Sequence, residues 1–171
     1  MGTLGIPEAS TVIPVRQGAA GLEVYLVRRS DRSGFMAGHY VFPGGVVDPA
    51  DRDVRLWAGA IDLGPTALGE RLGGGLGWQQ AVAFGVAAIR ETFEEAGVLL
   101  GAAGDPDQLA RVRGHRREGV LGREWLAEGA ATGSWTLSFS ALSRWAWWIT
   151  PEGMKRRYDT RFFVAPFPPD Q

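Results

Sequence analysis

Two largely apolar stretches near the start of the chain have the β-branched and aromatic content of strands. Residues 11–16 and 22–28 are rich in valine, isoleucine and leucine, and the flexible segment 17–21 connects them. A third short strand is predicted at 39–42, where Pro43-Gly44-Gly45 then stops it. These stretches predict the first part of a β-sheet.

Two more strands are predicted in the last third of the chain, at 145–150 and 161–165. The first contains Trp145, Trp147 and Trp148. Aromatic residues in strands usually belong to a core, and that position is predicted for these three. Stacking on a base or another flat part of a ligand is the alternative.

The strongest periodic signal predicts a helix over 78–96. Its apolar residues recur at intervals of four, three and four, which places them on one helix face: Val82, Val86, Ile89 and Phe93. Gly97 follows as a signal for the helix end. Shorter helices are predicted within 105–119 and 122–131, and around 53–60.

Composition narrows the class of protein. The 171 residues have a net charge of −1, which removes the electrostatic argument for a nucleic-acid partner or a membrane surface. Cysteine is absent, so disulfides and thiolate metal sites are excluded. No apolar run approaches the length of a membrane span, and no secretory signal is visible. We therefore expect a soluble, cytoplasmic protein.

The candidate chemistry lies near the end of the long helix. Glu91, Glu94 and Glu95 share one face, roughly opposite the apolar stripe, and Arg90 stands beside them. Three clustered carboxylates repel one another, so a helix has no structural need for them. They form either a solvated acidic face or a site for a hard cation such as Mg²⁺ or Mn²⁺.

The acidic helix and the upstream Pro-Gly-Gly together resemble the sequence box of Nudix hydrolases. Residues 90–98, Arg-Glu-Thr-Phe-Glu-Glu-Ala-Gly-Val, match its second half, with Thr92 in an apolar place. Gly45 and Asp51 match its first half, although Asp51 replaces the usual glutamate and about thirty extra residues follow. This interruption resembles a long-insert branch related to peroxisomal coenzyme A diphosphatases.

The resemblance implies a fold and a domain. It predicts an α/β (α+β) fold, the Nudix α/β/α sandwich with a mixed β-sheet, with an insertion at about residues 52–80. A single domain is expected over residues 1–171, shorter at its C-terminus than other family members. Such a chain is expected to cover exposed apolar surface by forming a homodimer.

The resemblance also implies roles for the acidic residues. Mg²⁺ or Mn²⁺ would be held by Glu91, Glu94 and Glu95 with the carbonyl of Gly45, and would activate a water. Glu91 is then either a metal ligand or the base, and Arg90 orients the carboxylates; Glu91, Arg90 and Glu94 form the catalytic set. Glu118 is the first candidate for an additional base from a downstream loop.

Coenzyme A members carry a further signature before Pro-Gly-Gly. Arg29, Ser30 and Gly38 match it, while Gly34 stands where a second arginine is usual, and Arg32 is the nearest substitute. Substrate binding is therefore assigned to three side chains and one glycine: Arg29, Ser30, Arg32 and Gly44.

Three alternatives stay open. The substrate, a small molecule containing a diphosphate, is coenzyme A or an acyl ester of it, or else NADH or ADP-ribose. A Nudix-fold binding or regulatory protein without turnover is the rival from another class. Four arginines between 111 and 117 either hold further phosphates of a ligand or cover a solvated helix face: Arg111, Arg113, Arg116 and Arg117.

Overall fold

A mixed sheet forms the central layer of the computed structural model, which describes residues 5–31, 37–103, 105–122 and 124–169. Its described strands are β1 (Glu8–Gly18), β2 (Gly21–Val24), β5 (Gly44–Val46), β8 (Ser143–Ile149) and β9 (Asp159–Pro166). They run in the order β2-β1-β9-β8, and β5 pairs with the same edge of β1 as β2 does. Within this sheet, β1 and β9 pair in parallel, and the other described pairs are antiparallel.

The strand predicted over 22–28 is divided in two. After β2 the chain leaves the main sheet, and β3 (Val27–Arg28) pairs with β4 (Tyr40–Val41) in a separate two-stranded ladder. The cause lies in β1, where Pro14 has no N–H to donate to a longer partner. Further along, β5 already occupies the edge of β1 from Ala9 to Thr11.

The predicted long helix is confirmed as α3 (Trp78–Ala96), and Gly97 ends it in a left-handed conformation. The predicted apolar stripe is fully buried. Burial extends around the helix from Ala81 to Arg90, because the sheet covers one side and two shorter helices cover another. No helix in the described ranges combines the length and apolar character needed to cross a bilayer.

The predicted insertion supplies that second cover. It forms α1 (Val54–Trp57) and α2 (Pro65–Leu72), both of which contact α3. The indole Nε1 of Trp57 donates to the carbonyl oxygen of Ala50 at 2.9 Å, which ties α1 to the preceding turn. Residues 78–80 belong to α3 rather than to the insertion.

The two later helices are also confirmed, as α4 (Pro106–Glu118) and α5 (Trp125–Ala131). Asp105 begins α4 by accepting the backbone N–H of Asp107 at 2.9 Å. On either side of this helical pair, β6 (Gly101–Ala103) and β7 (Trp135–Leu137) form a short antiparallel ladder.

The core position predicted for the tryptophans of β8 is wrong. Trp145, Trp147 and Trp148 are 69%, 56% and 64% exposed. The strand lies at the edge of the sheet, and a bulge between Arg144 and Ala146 interrupts its register. An edge strand has one neighbour instead of two, so its aromatic residues gain less cover than those of a central strand.

Candidate metal and diphosphate site

Arg90 is the structural centre of the predicted acidic cluster. Its Nε donates to Asp51 Oδ1 at 3.1 Å, and its Nη2 donates to Asp51 Oδ2 at 2.9 Å. Asp51 is 1% exposed, so this two-point ion pair is buried. Nη2 also donates to the carbonyl oxygen of Val46 at 2.9 Å. Arg90 therefore ties α3 to β5 and to the turn that carries Asp51.

The remaining nitrogen of Arg90 holds two carboxylates of the same helix. Nη1 donates to Glu91 Oε1 at 2.9 Å and to Glu94 Oε2 at 3.2 Å. Burial alone would lower the pKa of Arg90, but hydrogen bonding and attraction to Asp51, with Glu91 and Glu94 adding, raise it overall. The guanidinium therefore stays charged and offsets part of the repulsion among the carboxylates.

Gly45 makes room for the carboxylate of Glu91. A Cβ atom at position 45 would collide with that carboxylate, so any larger residue there would displace Glu91 from this position. Burial raises the pKa of Glu91 from 4.5 to about 7; Arg90 opposes this, and the charges of Glu94 and Glu95 add to it. Glu91 is thus a carboxyl group that titrates near neutral pH.

Glu95 faces the glycine turn. The backbone N–H of Gly44 donates to Glu95 Oε2 at 3.1 Å. Burial raises the pKa of Glu95, although this hydrogen bond and the positive charges of Arg29 and Arg116 work against the increase. Glu95 therefore connects the acidic cluster to the segment that contains Arg29.

Trp125 is a member of the site that sequence reasoning missed. Its indole Nε1 donates to Glu94 Oε1 at 3.2 Å. Its ring packs on Phe93, with 4.3 Å between the ring centroids. Trp125 lies 31 residues after Glu94, and no local pattern in the sequence links the two.

The acidic helix face is half-buried rather than fully exposed to solvent. The side chains of Glu91 and Glu94 are 17% and 31% exposed. Thr92, in the apolar place of the motif, is fully buried, and its hydroxyl donates to the carbonyl oxygen of Ala88 at 2.7 Å. This back-bond satisfies the hydroxyl and lets threonine stand where an apolar residue is usual.

Arg116 fits neither of the two alternatives for the arginine-rich helix. Its Nε donates to the carbonyl oxygen of Glu94 at 2.8 Å, and its Nη2 donates to the carbonyl oxygen of Glu95. These carbonyls belong to the last turn of α3, where backbone acceptors lack partners within the helix. Arg116 therefore fixes the end of the acidic helix.

The chemistry of the donor set fits a hard divalent cation. Glu91, Glu94 and Glu95 offer carboxylate oxygens at one end of α3, and one arginine does not balance their charge together with that of Asp51. In the described part of the chain, no three acidic or histidine side chains already converge on one point. Arg90 and the Gly44 amide hold the three carboxylates in separate hydrogen bonds.

A cleft of about 290 Å³ adjoins Glu95. The β3–β4 hairpin forms it, and Gly38 N–H donates to the carbonyl oxygen of Arg29 at 3.2 Å across the turn. Arg29 and Ser30, two residues of the predicted substrate signature, both line this cleft. Arg32, the suggested substitute for the second arginine, lies outside the described residues.

Glu118, the predicted additional base, is the last residue of α4 and is exposed. In the ranges that the structure describes, its carboxylate makes no hydrogen bond or ion pair with the acidic cluster. The structure thus brings Arg90, Glu91, Glu94, Glu95, Gly44 and Gly45 together and leaves Glu118 apart from them.

The chain is similar in sequence to proteins named acyl-coenzyme A diphosphatases. Acyl-coenzyme A diphosphatase NUDT19 of Gallus gallus is 32% identical over 198 residues, covering 89% of this chain and 50% of the relative. The Homo sapiens protein of the same name is 33% identical and covers 93% of this chain and 52% of the relative. The chain spans about half the length of these curated relatives. No family model matches the chain.

A solved structure extends the similarity to the fold. The crystal structure of a NUDIX hydrolase from Alicyclobacillus acidocaldarius has a TM-score of 0.67 and 26% identity, covering 94% of this chain and 69% of that one. The mixed sheet, the acidic helix and the structural similarity define a Nudix fold. In sequence, the chain is similar to the acyl-coenzyme A diphosphatases named above.

Proposed function

We propose that the chain is a metal-dependent Nudix diphosphatase that cleaves coenzyme A or an acyl ester of it. The strongest support is the position of Glu95, which belongs to the acidic cluster and also lines the cleft that contains Arg29 and Ser30. A diphosphate placed there would meet acidic metal ligands on one side and a cationic side chain on the other.

Glu91, Glu94 and Glu95, with the carbonyl of Gly45, would hold Mg²⁺ or Mn²⁺. When bound, the metal would neutralise phosphate charge and lower the pKa of a coordinated water. For Glu91 or Glu94 to bind a metal, its hydrogen bond to Arg90 would have to break. Arg90 would keep its ion pair with Asp51, because that pair is more buried than the other two.

Arg90 would position the carboxylates, and Glu91 would accept a proton. Arg90 positions the carboxylates through its fixed pair with Asp51. With a pKa raised to about 7, Glu91 is able to accept a proton near neutral pH, which suits a general base as well as a ligand. Glu118 stays a predicted base, and its exposed position makes it the weaker candidate.

Arg29 is the residue that we propose binds the 3′-phosphate of the substrate. Coenzyme A carries a 3′-phosphate that NADH and ADP-ribose lack, and a guanidinium group binds phosphate through paired hydrogen bonds. Ser30 and the Gly44 amide would complete the subsite, although Gly44 N–H is bonded to Glu95 in this structure. The names of the sequence relatives support the same substrate class.

The test compares four substrates by kcat/KM: coenzyme A, its 3′-dephospho form, NADH and ADP-ribose, each with Mg²⁺ and with EDTA. We expect a ten- to hundred-fold preference for coenzyme A over the dephospho form, from the loss of a charged hydrogen bond. Arg29→Gln should remove that preference. Equal rates on both forms, or a preference for NADH, would exclude the coenzyme A assignment and retain the diphosphatase.

The binding-protein alternative has a separate test. Tight binding of coenzyme A without release of 3′,5′-ADP, with any divalent cation, would show a domain that binds but does not cleave. The Glu94 and Glu95 carboxylates in their family positions favour turnover.

A homodimer in the cytoplasm remains our prediction for assembly and compartment. Exposed apolar side chains on the two outer strands support self-association; Leu22 is 71% and Trp148 64% exposed. Light scattering over a concentration series should detect a dimer, and a strict monomer at high concentration would contradict it. Cell fractionation would test the compartment.

A further inference from the structure

A second cleft lies at the opposite edge of the sheet from the acidic cluster. It has a volume of about 210 Å³, and its lining includes two arginines, Arg144 and Arg161, and no acidic residue. The backbone of Gly73 and Gly74, just before α3, closes one side, and Trp147 lies on another. The charge of this lining is therefore entirely positive.

Aromatic contacts hold the guanidinium of Arg161, and its Nε lacks a hydrogen-bond acceptor. Its guanidinium stacks on Trp147, with 4.0 Å from Cζ to the ring centroid, and lies 5.5 Å from the centroid of Phe84. Its Nε is buried and has no hydrogen-bond partner. Burial lowers the pKa of Arg161; the charges of Asp159 and Glu8 oppose this, and the nearby charge of Arg144 adds to it.

The carboxylates that act on Arg161 already have other partners. Asp159 Oδ1 accepts the indole N–H of Trp147 at 2.6 Å. Glu8 pairs with Arg52 at 2.6 Å. Among the described residues that line the cleft, two are cationic and none is acidic.

Arg144 completes the cationic wall. A Cβ atom at Gly74 would collide with the Arg144 guanidinium, so the glycine backbone lies directly against this charge. Arg144 is exposed, and it faces the cleft from β8 while Arg161 faces it from β9. Two planar guanidinium groups on adjacent strands match the several oxygens of one phosphate.

The cleft is distinct from the acidic centre. Glu91 and Glu95 contact β5, whereas this cleft lies against β8, and β1 and β9 separate the two strands. Three strand spacings amount to about 14 Å. Along α3, Phe84 beside Arg161 precedes Glu91 by about 10 Å of helix rise.

We propose that the Arg144–Arg161 cleft binds a small phosphate-bearing anion, either inorganic phosphate or a simple phosphate monoester. The volume is below that of a typical pocket for a drug-sized ligand, which favours a small occupant. An anion between the two arginines would supply the negative charge that the cleft lining lacks.

The test is isothermal titration calorimetry of the whole chain in EDTA, with inorganic phosphate and with glycerol 3-phosphate, at constant ionic strength. We expect saturable binding with one site. Tighter binding of the ester would identify a monoester as the ligand, and equal or weaker binding would identify free phosphate. The indole N–H signal of Trp147 should shift in a nitrogen–proton correlation spectrum.

Two variants locate the site. Arg144→Gln changes an exposed side chain and should weaken binding by about tenfold or more. Arg161→Lys keeps the charge but loses the planar fork, and should also weaken binding. The matched control, Arg55→Gln, removes an equal charge from an exposed position of α1 and should leave affinity unchanged.

Three results would overturn the proposal. The first is the absence of saturable phosphate binding by the unaltered chain. The second is an equal loss in Arg55→Gln and Arg144→Gln, which would indicate only a net-charge effect. The third is binding that survives Arg144→Gln and disappears in Arg29→Gln, which would place the phosphate in the other cleft.

Discussion

The two edges of the central sheet hold their arginines in opposite ways. At the β5 edge, Arg90 bonds to three carboxylates, one of them fully buried. At the β8 edge, Arg161 is packed between aromatic rings, and its Nε is buried without an acceptor. The first arrangement leaves excess negative charge, which suits a cation, and the second leaves excess positive charge, which suits an anion.

The largest effect is expected from Glu94→Gln at the acidic edge. The variant keeps the shape of the side chain but loses a negative oxygen ligand, so kcat should fall by at least about a hundredfold. Coenzyme A turnover at saturating Mg²⁺ measures this, with an unchanged circular dichroism spectrum as the folding control. Unaltered turnover would remove Glu94 from the mechanism.

Asp51→Ala should be the most destabilising change at the same edge. It removes the buried partner of Arg90, and breaking a buried ion pair costs about 3–5 kcal/mol. Asp48→Ala is the matched control, because Asp48 is 60% exposed and lies 3.9 Å from Arg90; it should cost less than about 1 kcal/mol. Urea unfolding measures both. Equal losses would mean that burial of the Asp51 pair does not matter.

The acidic edge should also make stability depend on pH. Folding raises the pKa of Glu91 to about 7 from 4.5, so the folded chain binds this proton more tightly than the unfolded chain. In EDTA, the contribution of Glu91 to the free energy of unfolding should therefore fall as pH rises from about 4.5 to 7.

Denaturant titrations at pH 5 and pH 7.5 measure this dependence. Glu91→Gln should reduce the difference between the two pH values, while Glu95, whose pKa is also raised, keeps part of it. An identical difference in the variant would show that Glu91 does not titrate in this window.

The smallest effect is expected at the other edge, from Trp148→Ser. Trp148 is 64% exposed on an edge strand, so the free energy of unfolding should change by less than about 0.5 kcal/mol. A loss of several kcal/mol would show that Trp148 is covered in solution, as it would be at a dimer interface.

The acidic edge could be predicted from the sequence largely because its pattern is local. Helical periodicity placed Ile89 in the core and brought Glu91, Glu94 and Glu95 together. The same periodicity did not show that the acidic face is half-buried. That burial comes from β5 and from α5, whose approach depends on tertiary packing.

The remaining contacts join residues that are distant along the chain. Trp125 reaches Glu94 from 31 residues away, and Arg116 reaches the carbonyl of Glu95 from 21 residues away. The prediction that Trp145 is in the core was wrong for a related reason. An aromatic strand has the same sequence pattern at the centre of a sheet as at its edge, so the sequence alone does not distinguish the two positions.

The parallel pairing of β1 with β9 has a consequence for the order in which the protein folds. These neighbours, paired from Glu8–Asp159 to Val15–Pro166, lie about 150 residues apart in sequence, a contact that forms slowly because a long loop must close. During synthesis, β1, β5 and α3 all leave the ribosome before β9 does. We therefore expect the carboxylate cluster to be assembled first in the nascent chain, and the arginine cleft to form only after β9 has emerged.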